Sequence, residues 1–338
     1  MPDAARLWSL ADLATPWCLH VAVTLGIADQ LAAGATDIES LARASRSDRE
    51  SLQRVLRHLV SKGVFAEPSP GSFALNDTAR GLLEPAAKHG MDLDAFGGRM
   101  ANAWNGLLQT VRTGSPAYPT IFGRPFWDDL REHPRIAESF DALMGPGHGA
   151  PDPNVLPSGD WDSVRAVVDV GGGTGSLLAE VLRAHPAVRG TLVDLPSTVE
   201  RCGAVFRDAG VADRVTTVAR SFFEPLPSGA DLYLLKNVLA DWPDREALAL
   251  LRRCAEAARP AGRVVVVGGV SPDEAGTPSP ALLMMVLVGG KDRTLSEFRA
   301  LAGAAGLEVR ATGRQAAGRF VVECDAECDV ECGPGRQS

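Results

Sequence analysis

No run of about 18 consecutive apolar residues occurs in this chain of 338 residues, so no membrane-spanning helix is expected. The first residues, Met1-Pro2-Asp3-Ala4-Ala5-Arg6, lack the basic start and apolar core of a secretory signal, and a cytoplasmic protein is expected. Positive charge is not in excess either. The net charge is −8, which argues against nucleic acid as the main partner. Six cysteines in a chain of this length, without a signal, predict free thiols in a reducing compartment. What is plentiful is apolar material: 45% of the residues are hydrophobic, enough for two cores, and the length predicts two domains.

The most informative stretch is Val167-Val168-Asp169-Val170-Gly171-Gly172-Gly173-Thr174-Gly175, followed by Thr191-Leu192-Val193-Asp194. It reads as a buried strand, a glycine-rich turn, a helix start and a second strand ending in a carboxylate. Glycines let the backbone approach a ligand, the helix start offers free N–H groups, and an acid about 20 residues on can accept both ribose hydroxyls. A dinucleotide turn wants G-x-G-x-x-G, but the sixth position from Gly171 is Ser176 and the third glycine falls early, at Gly175. The spacing Asp-x-Gly-x-Gly-x-Gly instead resembles the first motif of the class I S-adenosylmethionine (SAM) methyltransferases.

Along the chain, residues 9–32 read as helix, Asp37 starts a short helix, and Asp48 to Lys62 forms another with Leu52, Val55, Leu56, Leu59 and Val60 at helical spacing. Val64–Glu67 and Ser72–Leu75, separated by Pro68-Ser69-Pro70-Gly71, read as a hairpin. Helix, helix and hairpin make a winged helix. The rival functional reading is therefore a DNA-binding regulator, with Arg49, Arg54, Arg57 and Lys62 on the second helix. Asp48 and Glu50 on that helix and the acidic whole oppose it, and a salt-dependent DNA shift would discriminate. Residues 90–145 read as mostly helical, and the cluster from Gly145 to Pro151 as a loop and domain boundary. Beyond it, apolar runs at 166–170, 190–194, 214–218, 231–236 and 263–270 alternate with helical patterns, which predicts an α/β fold with a parallel, doubly wound sheet. Ligands in such sheets bind at the carboxyl ends of strands, where the glycine turn, Asp194, Phe222 and Lys236 all fall.

From about residue 10 to residue 322 the chain resembles the plant-type small-molecule O-methyltransferases, in their actinobacterial branch acting on aromatic polyketides. The resemblance is carried by Val111-Arg112-Thr113-Gly114, Pro116-Ala117-Tyr118, Gly123-Arg124-Pro125-Phe126-Trp127, Ser139-Phe140-Asp141-Ala142-Leu143-Met144, the glycine turn, Phe222-Phe223-Glu224-Pro225-Leu226-Pro227, Asp241-Trp242 and Gly289-Gly290-Lys291-Asp292-Arg293-Thr294, in that order. It implies a winged-helix dimerisation domain over 1–89, a helical linker contributing to the substrate pocket over 90–150, and a Rossmann-like SAM-binding domain over 151–322. It also implies a homodimer that takes a small aromatic substrate, without nucleic acid or membrane, and releases S-adenosyl-L-homocysteine.

The same resemblance assigns roles. Asp169, Gly171, Gly173 and Gly175 shape the cofactor turn, Asp194 holds the ribose, Leu195, Phe222 and Phe223 lie against the adenine, and Lys236 lies near the methionine moiety. Relatives carry Gly-Asp just before the aromatics, where this chain has Arg220-Ser221. A Ser221 hydroxyl accepts from the adenine amino group more weakly than a carboxylate. Substrate-contact candidates are Trp104, Phe140, Met144, Asn237, Trp242, Met284 and Met285, since aromatic and methionine side chains suit a flat polycyclic ligand.

The family's histidine base is missing. Where relatives read His-Asp-Trp, this chain reads Ala240-Asp241-Trp242. A glutamate that orients the histidine aligns with Gly268, and a second appears as Asp292, leaving Asp241 and Asp292 in supporting roles. The histidines present (His20, His58, His89, His133, His148 and His185) match no base position, and His148 is the one expected nearest the pocket. Methyl transfer without a base is still feasible, because the sulfonium is already electrophilic and holding a phenolate in line about 3 Å away supplies much of the rate. The alternatives are a SAM-dependent reaction that moves no methyl, with the sulfonium stabilising an electron-rich intermediate after decarboxylation, or methylation of nitrogen or carbon.

The stretch from Glu323 to Cys332 spaces Cys324, Cys328 and Cys332 four apart among five acids. A helical face of thiols would be one ligand short of a zinc site, and residues 323–338 are expected to form a disordered acidic tail without metal. Cys18, Cys202 and Cys254 are expected as buried thiols.

Overall fold

The computed structural model describes residues 4–144, 151–273 and 281–326. Its contacts divide the chain into two units, one of Met1–Asn105 with Trp127–Gly147, the other of Gly106–Phe126 with His148–Ser338. The helical stretch expected to form a linker over 90–150 is thus shared between them.

The first unit opens with helices α1 (Ala4–Leu10), α2 (Ala14–Thr24), α3 (Ile27–Ala32), α4 (Ile38–Ser45) and α5 (Arg49–Ser61). One helix was expected over 9–32, and the chain makes three. Asp12 Oδ1 accepts from the N–H groups of Ala14 and Thr15 and so starts α2, and Gly26 at φ 63° turns the chain before α3. Asp37 and Asp48 cap α4 and α5 by accepting from the N–H groups of Ser40 and Ser51. Helix α5 buries Leu52, Leu56 and Leu59, the stripe that helical spacing predicts, each contributing about 2 kcal/mol by burial. Strands β1 (Phe65–Ser69) and β2 (Ser72–Leu75) form the wing, antiparallel with Phe65 opposite Leu75. The arginines on the outer face of α5 are paired: Arg49 with Glu39, Arg54 with Glu50, and Arg57 with Glu67. Helices α6 (Asp77–Arg80), α7 (Pro85–Met91) and α8 (Phe96–Ala103) follow.

Helices α9 (Leu107–Thr113) and α10 (Tyr118–Phe122) are counted with the second unit. Helix α11 (Phe126–Glu132), from Trp127 on, and helix α12 (Pro134–Met144) return to the first. There Ser139 Oγ accepts from the Phe96 N–H, and Arg99 pairs with the buried Asp129 at 2.7 Å.

The second unit is built on β3 (Ala166–Val170), β4 (Arg189–Asp194), β5 (Val215–Ala219), β6 (Leu232–Lys236), β7 (Arg263–Val267), the short parallel pair β8 (Val270–Ser271) and β9 (Arg293–Thr294), and β10 (Leu307–Arg314) with β11 (Phe320–Ala326). The main sheet has the order β10-β11-β7-β6-β3-β4-β5. Helices α13 (Ser176–Ala184), α14 (Pro196–Asp208), α15 (Asp244–Ala258), α16 (Leu282–Leu287) and α17 (Leu295–Ala304) complete the unit. Strands β6 and β7 are buried almost throughout and read as unbroken apolar runs, as central parallel strands do.

Two expectations are corrected here. The sheet is mixed rather than parallel: β11 runs antiparallel to β7, and β10 antiparallel to β11. The acidic tail does not begin at 323, because Glu323 and Cys324 sit within β11, opposite Val265 and Val264, with 0% exposure. Glu323 is held there by Arg263 at 3.0 Å and by the Ser158 hydroxyl and N–H, so its charge is compensated. Cys324 therefore lies in a strand and not on a helix face, whereas Cys328 and Cys332 lie outside the described residues. Cys202 and Cys254 are buried and Cys18 is half-buried, all free thiols. Among the described residues no helix is long and apolar enough to cross a membrane.

Candidate functional site

The turn after β3 is shaped by its glycines. Gly173 adopts φ 60° and a Cβ there would meet nothing within 4 Å, so this peptide faces open space. Gly175, at φ 81°, is crowded instead: a Cβ would lie 2.3 Å from the Phe206 ring. Only glycine serves both demands, conformation at one position and close packing at the other.

Asp194, at the end of β4, closes the turn from the neighbouring strand. Its Oδ2 accepts from the Gly173 N–H at 2.8 Å and its Oδ1 from the Leu195 N–H at 2.7 Å. Asp169, in β3, is 1% exposed, and its Oδ2 has no hydrogen-bond partner among the described residues. Burial pushes its carboxyl up to about 7, with the Lys236 ammonium opposing and the Asp194 charge adding to the rise. Lys236 ends β6 half-buried. Burial and the Arg319 guanidinium hold its ammonium below the ordinary value, and Asp169 opposes that shift.

An aromatic wall stands beside the turn. Phe222 lies against Gly171, where a Cβ would be 3.3 Å from its ring. Trp242 meets Phe223 edge-on at 4.9 Å and Phe222 at 5.9 Å, and the two phenyl rings are 5.0 Å apart. Ser221 Oγ accepts from the Phe223 N–H at 3.3 Å, so its hydroxyl shapes this corner.

Strand β6 runs into Asn237, which adopts φ 57° with its N–H donating to Val267 O, and then into a 3-10 turn over Leu239–Asp241. Ala240 sits in that turn. A Cβ on Gly269 would lie 2.8 Å from the Ala240 Cβ, so backbone packs directly on the alanine. Gly268 has φ 77°, and a side chain there would meet Asn237 Oδ1 at 2.6 Å. A side chain at Gly268 would thus be strained by the left-handed backbone and would have to displace the Asn237 amide. Asp241 is half-buried and its carboxyl is raised to about 7 by burial. Asp292 is raised as well, by burial, with Arg293 opposing.

Met284 and Met285 lie half-buried on α16 of the second unit. Trp104, Phe140 and Met144 belong to the first unit. There Phe140 packs edge-on against Phe96 and Trp127, while Trp104 and Met144 are exposed. Of the histidines, His185 stacks on Trp161 at 3.8 Å, His58 meets Thr15, His20 meets the Met91 carbonyl and His133 meets Asp129. His148 lies outside the described residues. Sequence reasoning missed Arg293 as a site residue. It is fully buried beside Trp242, and its only sequence signal was its place in the Gly289–Thr294 motif.

The donor set suits a cationic nucleoside. Two carboxylates converge on the turn, one with an oxygen unpaired, beside aromatic rings fit for a base and a peptide open to a ligand. SAM carries a sulfonium, an ammonium and a ribose, and meets each of these features.

Comparison with known proteins agrees. The O-methyltransferase dimerisation domain matches residues 8–85 and the O-methyltransferase domain matches residues 104–308. The chain is 41% identical to 2,7-dihydroxy-5-methyl-1-naphthoate 7-O-methyltransferase of Streptomyces carzinostaticus, over 90% of this chain and 93% of that one. It is also 41% identical to aclacinomycin 10-hydroxylase RdmB of Streptomyces purpurascens, over 89% and 83%. Among solved structures, an O-methyltransferase from neocarzinostatin biosynthesis in complex with SAM and 2-hydroxy-5-methyl naphthoic acid superposes with a TM-score of 0.86 at 41% identity, covering 94% of this chain and 98% of that one. With its glycine turn, the carboxylate that closes it and a dimerisation domain ahead of the catalytic one, the chain belongs to the SAM-dependent O-methyltransferase family.

Proposed function

We propose that the protein transfers the SAM methyl group to a phenolic hydroxyl of an aromatic polyketide-type natural product, acts as a homodimer, and does so without a histidine base. The observation that carries the base-free reading is Ala240, with Gly269 packed on its Cβ and Gly268 in a left-handed conformation that disfavours a supporting side chain. Gly173 and Asp194 hold the ribose end of the cofactor, Asp169 and Lys236 the methionine end, and Leu195, Phe222 and Phe223 the adenine. When bound, SAM supplies the electrophilic methyl. The protein's part is to align the acceptor oxygen with it. An acidic phenol gives up its proton to solvent as it enters the site, and the phenolate is what is then aligned. Exposed Leu7, Trp8, Leu10 and Leu13, on and just after α1, support the dimer, since such a patch is costly to leave in water.

One observation favours a second reading of the proton step. Asp241, pushed up to about 7 by burial, is matched to accept a proton near neutral pH. The winged helix finds less support as a DNA reader, because the arginines of α5 pair with carboxylates of their own unit.

The test of the function is incubation with methyl-deuterated SAM and a panel of hydroxynaphthoates and anthracycline-like phenols, read by mass spectrometry. Labelled methyl on oxygen is the expected product. A product that gains oxygen or loses carboxylate, with SAM intact, would place the protein with the hydroxylase-like relatives instead.

A further inference from the structure

Arg293 has 0% exposure, and each of its guanidinium N–H donors is used. Nε and Nη2 donate to Asp244 Oδ1 at 3.0 and 2.8 Å, Nη1 to the carbonyls of Leu239 and Lys291 at 3.1 and 3.3 Å, and Nη2 also to the Trp242 carbonyl at 2.9 Å. Two of these acceptors, Leu239 O and Trp242 O, bracket Ala240 and Asp241 of the 3-10 turn. The backbone of Arg293 is fixed separately, by its own N–H donating to Gly269 O and by the β8–β9 pairing of Val270 with Arg293. Gly290 completes the joint: a Cβ there would lie 2.1 Å from Ala240 O, so this segment rests on the peptide after Ala240. The loops after β6 and β7 and the segment before α17 therefore meet at one residue.

We propose that Arg293 is a positioning residue for cofactor binding, acting through Trp242. By gripping the carbonyls on both sides of the turn, it fixes where the indole leaves the backbone, and hence how the ring braces Phe222 and Phe223. A planar fork of donors is suited to holding several carbonyl oxygens in fixed directions, and a lysine cannot reproduce it. The proposal rests on the reading of Phe222 and Phe223 as the adenine wall.

The experiment is calorimetric titration of S-adenosylhomocysteine into the full-length wild-type protein, Arg293→Met, Trp242→Ala and the double variant. Arg293→Met should weaken binding about 10-fold in the wild-type background and less than about 2-fold where Trp242 is already gone, the coupling expected within a shared network. An equal loss in both backgrounds means the arginine merely supports the fold, and overturns the proposal. If Arg293→Met fails to fold, Arg293→Lys serves. It retains charge for Asp244 but cannot span both carbonyls, so binding should weaken alike, and unchanged binding is a refutation. Asp244→Asn removes the ion pair and leaves the carbonyl grip, so affinity should stay within about 2-fold. A loss matching that of Arg293→Met would show charge balance to be the role instead. Phe222→Ala separates the premises. Unchanged affinity there sinks the adenine placement and this proposal with it, while affinity lost there but kept in Arg293→Met overturns the positioning role alone.

Discussion

Asp169→Asn should stabilise the ligand-free protein above neutral pH while weakening its hold on SAM. In the folded chain the Asp169 carboxyl is raised from 3.8 to about 7, first by burial. Between about pH 4 and pH 7 the folded state therefore binds a proton that the unfolded chain has released, so stability falls as pH rises through that window. Above about pH 7 the ionised buried carboxylate is fully unfavourable, and the rise corresponds to about 4 kcal/mol. Asn removes that burden, less whatever its own amide leaves unpaired. Thermal unfolding of both proteins from about pH 4 to about pH 8.5 should show the smallest advantage for Asn at the acid end, an advantage that grows up to about pH 7, and a level difference above that. The cost falls on the ligand. A cationic cofactor favours ionised Asp169, so binding near pH 6 should release a proton in the wild type and none in Asp169→Asn. Calorimetry in buffers of different ionisation enthalpy measures that release. An unfolding difference that is flat with pH, or equal proton release in both proteins, would refute the reasoning.

Three further outcomes follow from single positions. Ala240→Ser should retain most activity, since no base is being removed, and a loss of several hundred-fold would mean the turn is tuned around the alanine. Gly173→Ala should destabilise by about 1 kcal/mol through its φ of 60° and weaken S-adenosylhomocysteine binding more than it weakens the fold, because the new Cβ enters ligand space. Equal affinity in a calorimetric titration would remove that peptide from the cofactor site. Glu323→Leu should cost about 1–3 kcal/mol in denaturant unfolding, because the buried Arg263 loses its closer carboxylate and keeps only that of Asp160, with Oδ2 at 3.5 Å, and an unchanged stability would show the pair to be dispensable.

Much of this was legible in the sequence, and the exceptions have a common cause. The parallel strands announce themselves because β6 and β7 are buried on both faces and so read as apolar runs. The turn and its carboxylate are legible because glycine and acid spacing encode backbone geometry directly. Strands β10 and β11 were not read. Strand β10 alternates half-buried and exposed residues after the buried Leu307, while the burial of Glu323 in β11 depends on Arg263, sixty positions away. A carboxylate looks like tail until its partner is known. Arg293 was hidden for the same reason, since its partners come from segments remote in sequence. The break in the first helix was missed because apolar residues continue through it, and only the Asp12 cap and the left-handed Gly26 mark it. The absence of a base was plain from Ala240. That Gly269 packs on it belongs to the three-dimensional structure.

The central claim is that the acceptor loses its proton without a protein base. Single-turnover methyl transfer should be followed against pH for two phenolic acceptors of clearly different acidity. The base-free account predicts an inflection that moves with the acidity of the acceptor. An inflection fixed near pH 7 for both acceptors, and absent in Asp241→Asn, would contradict it and make Asp241 the base.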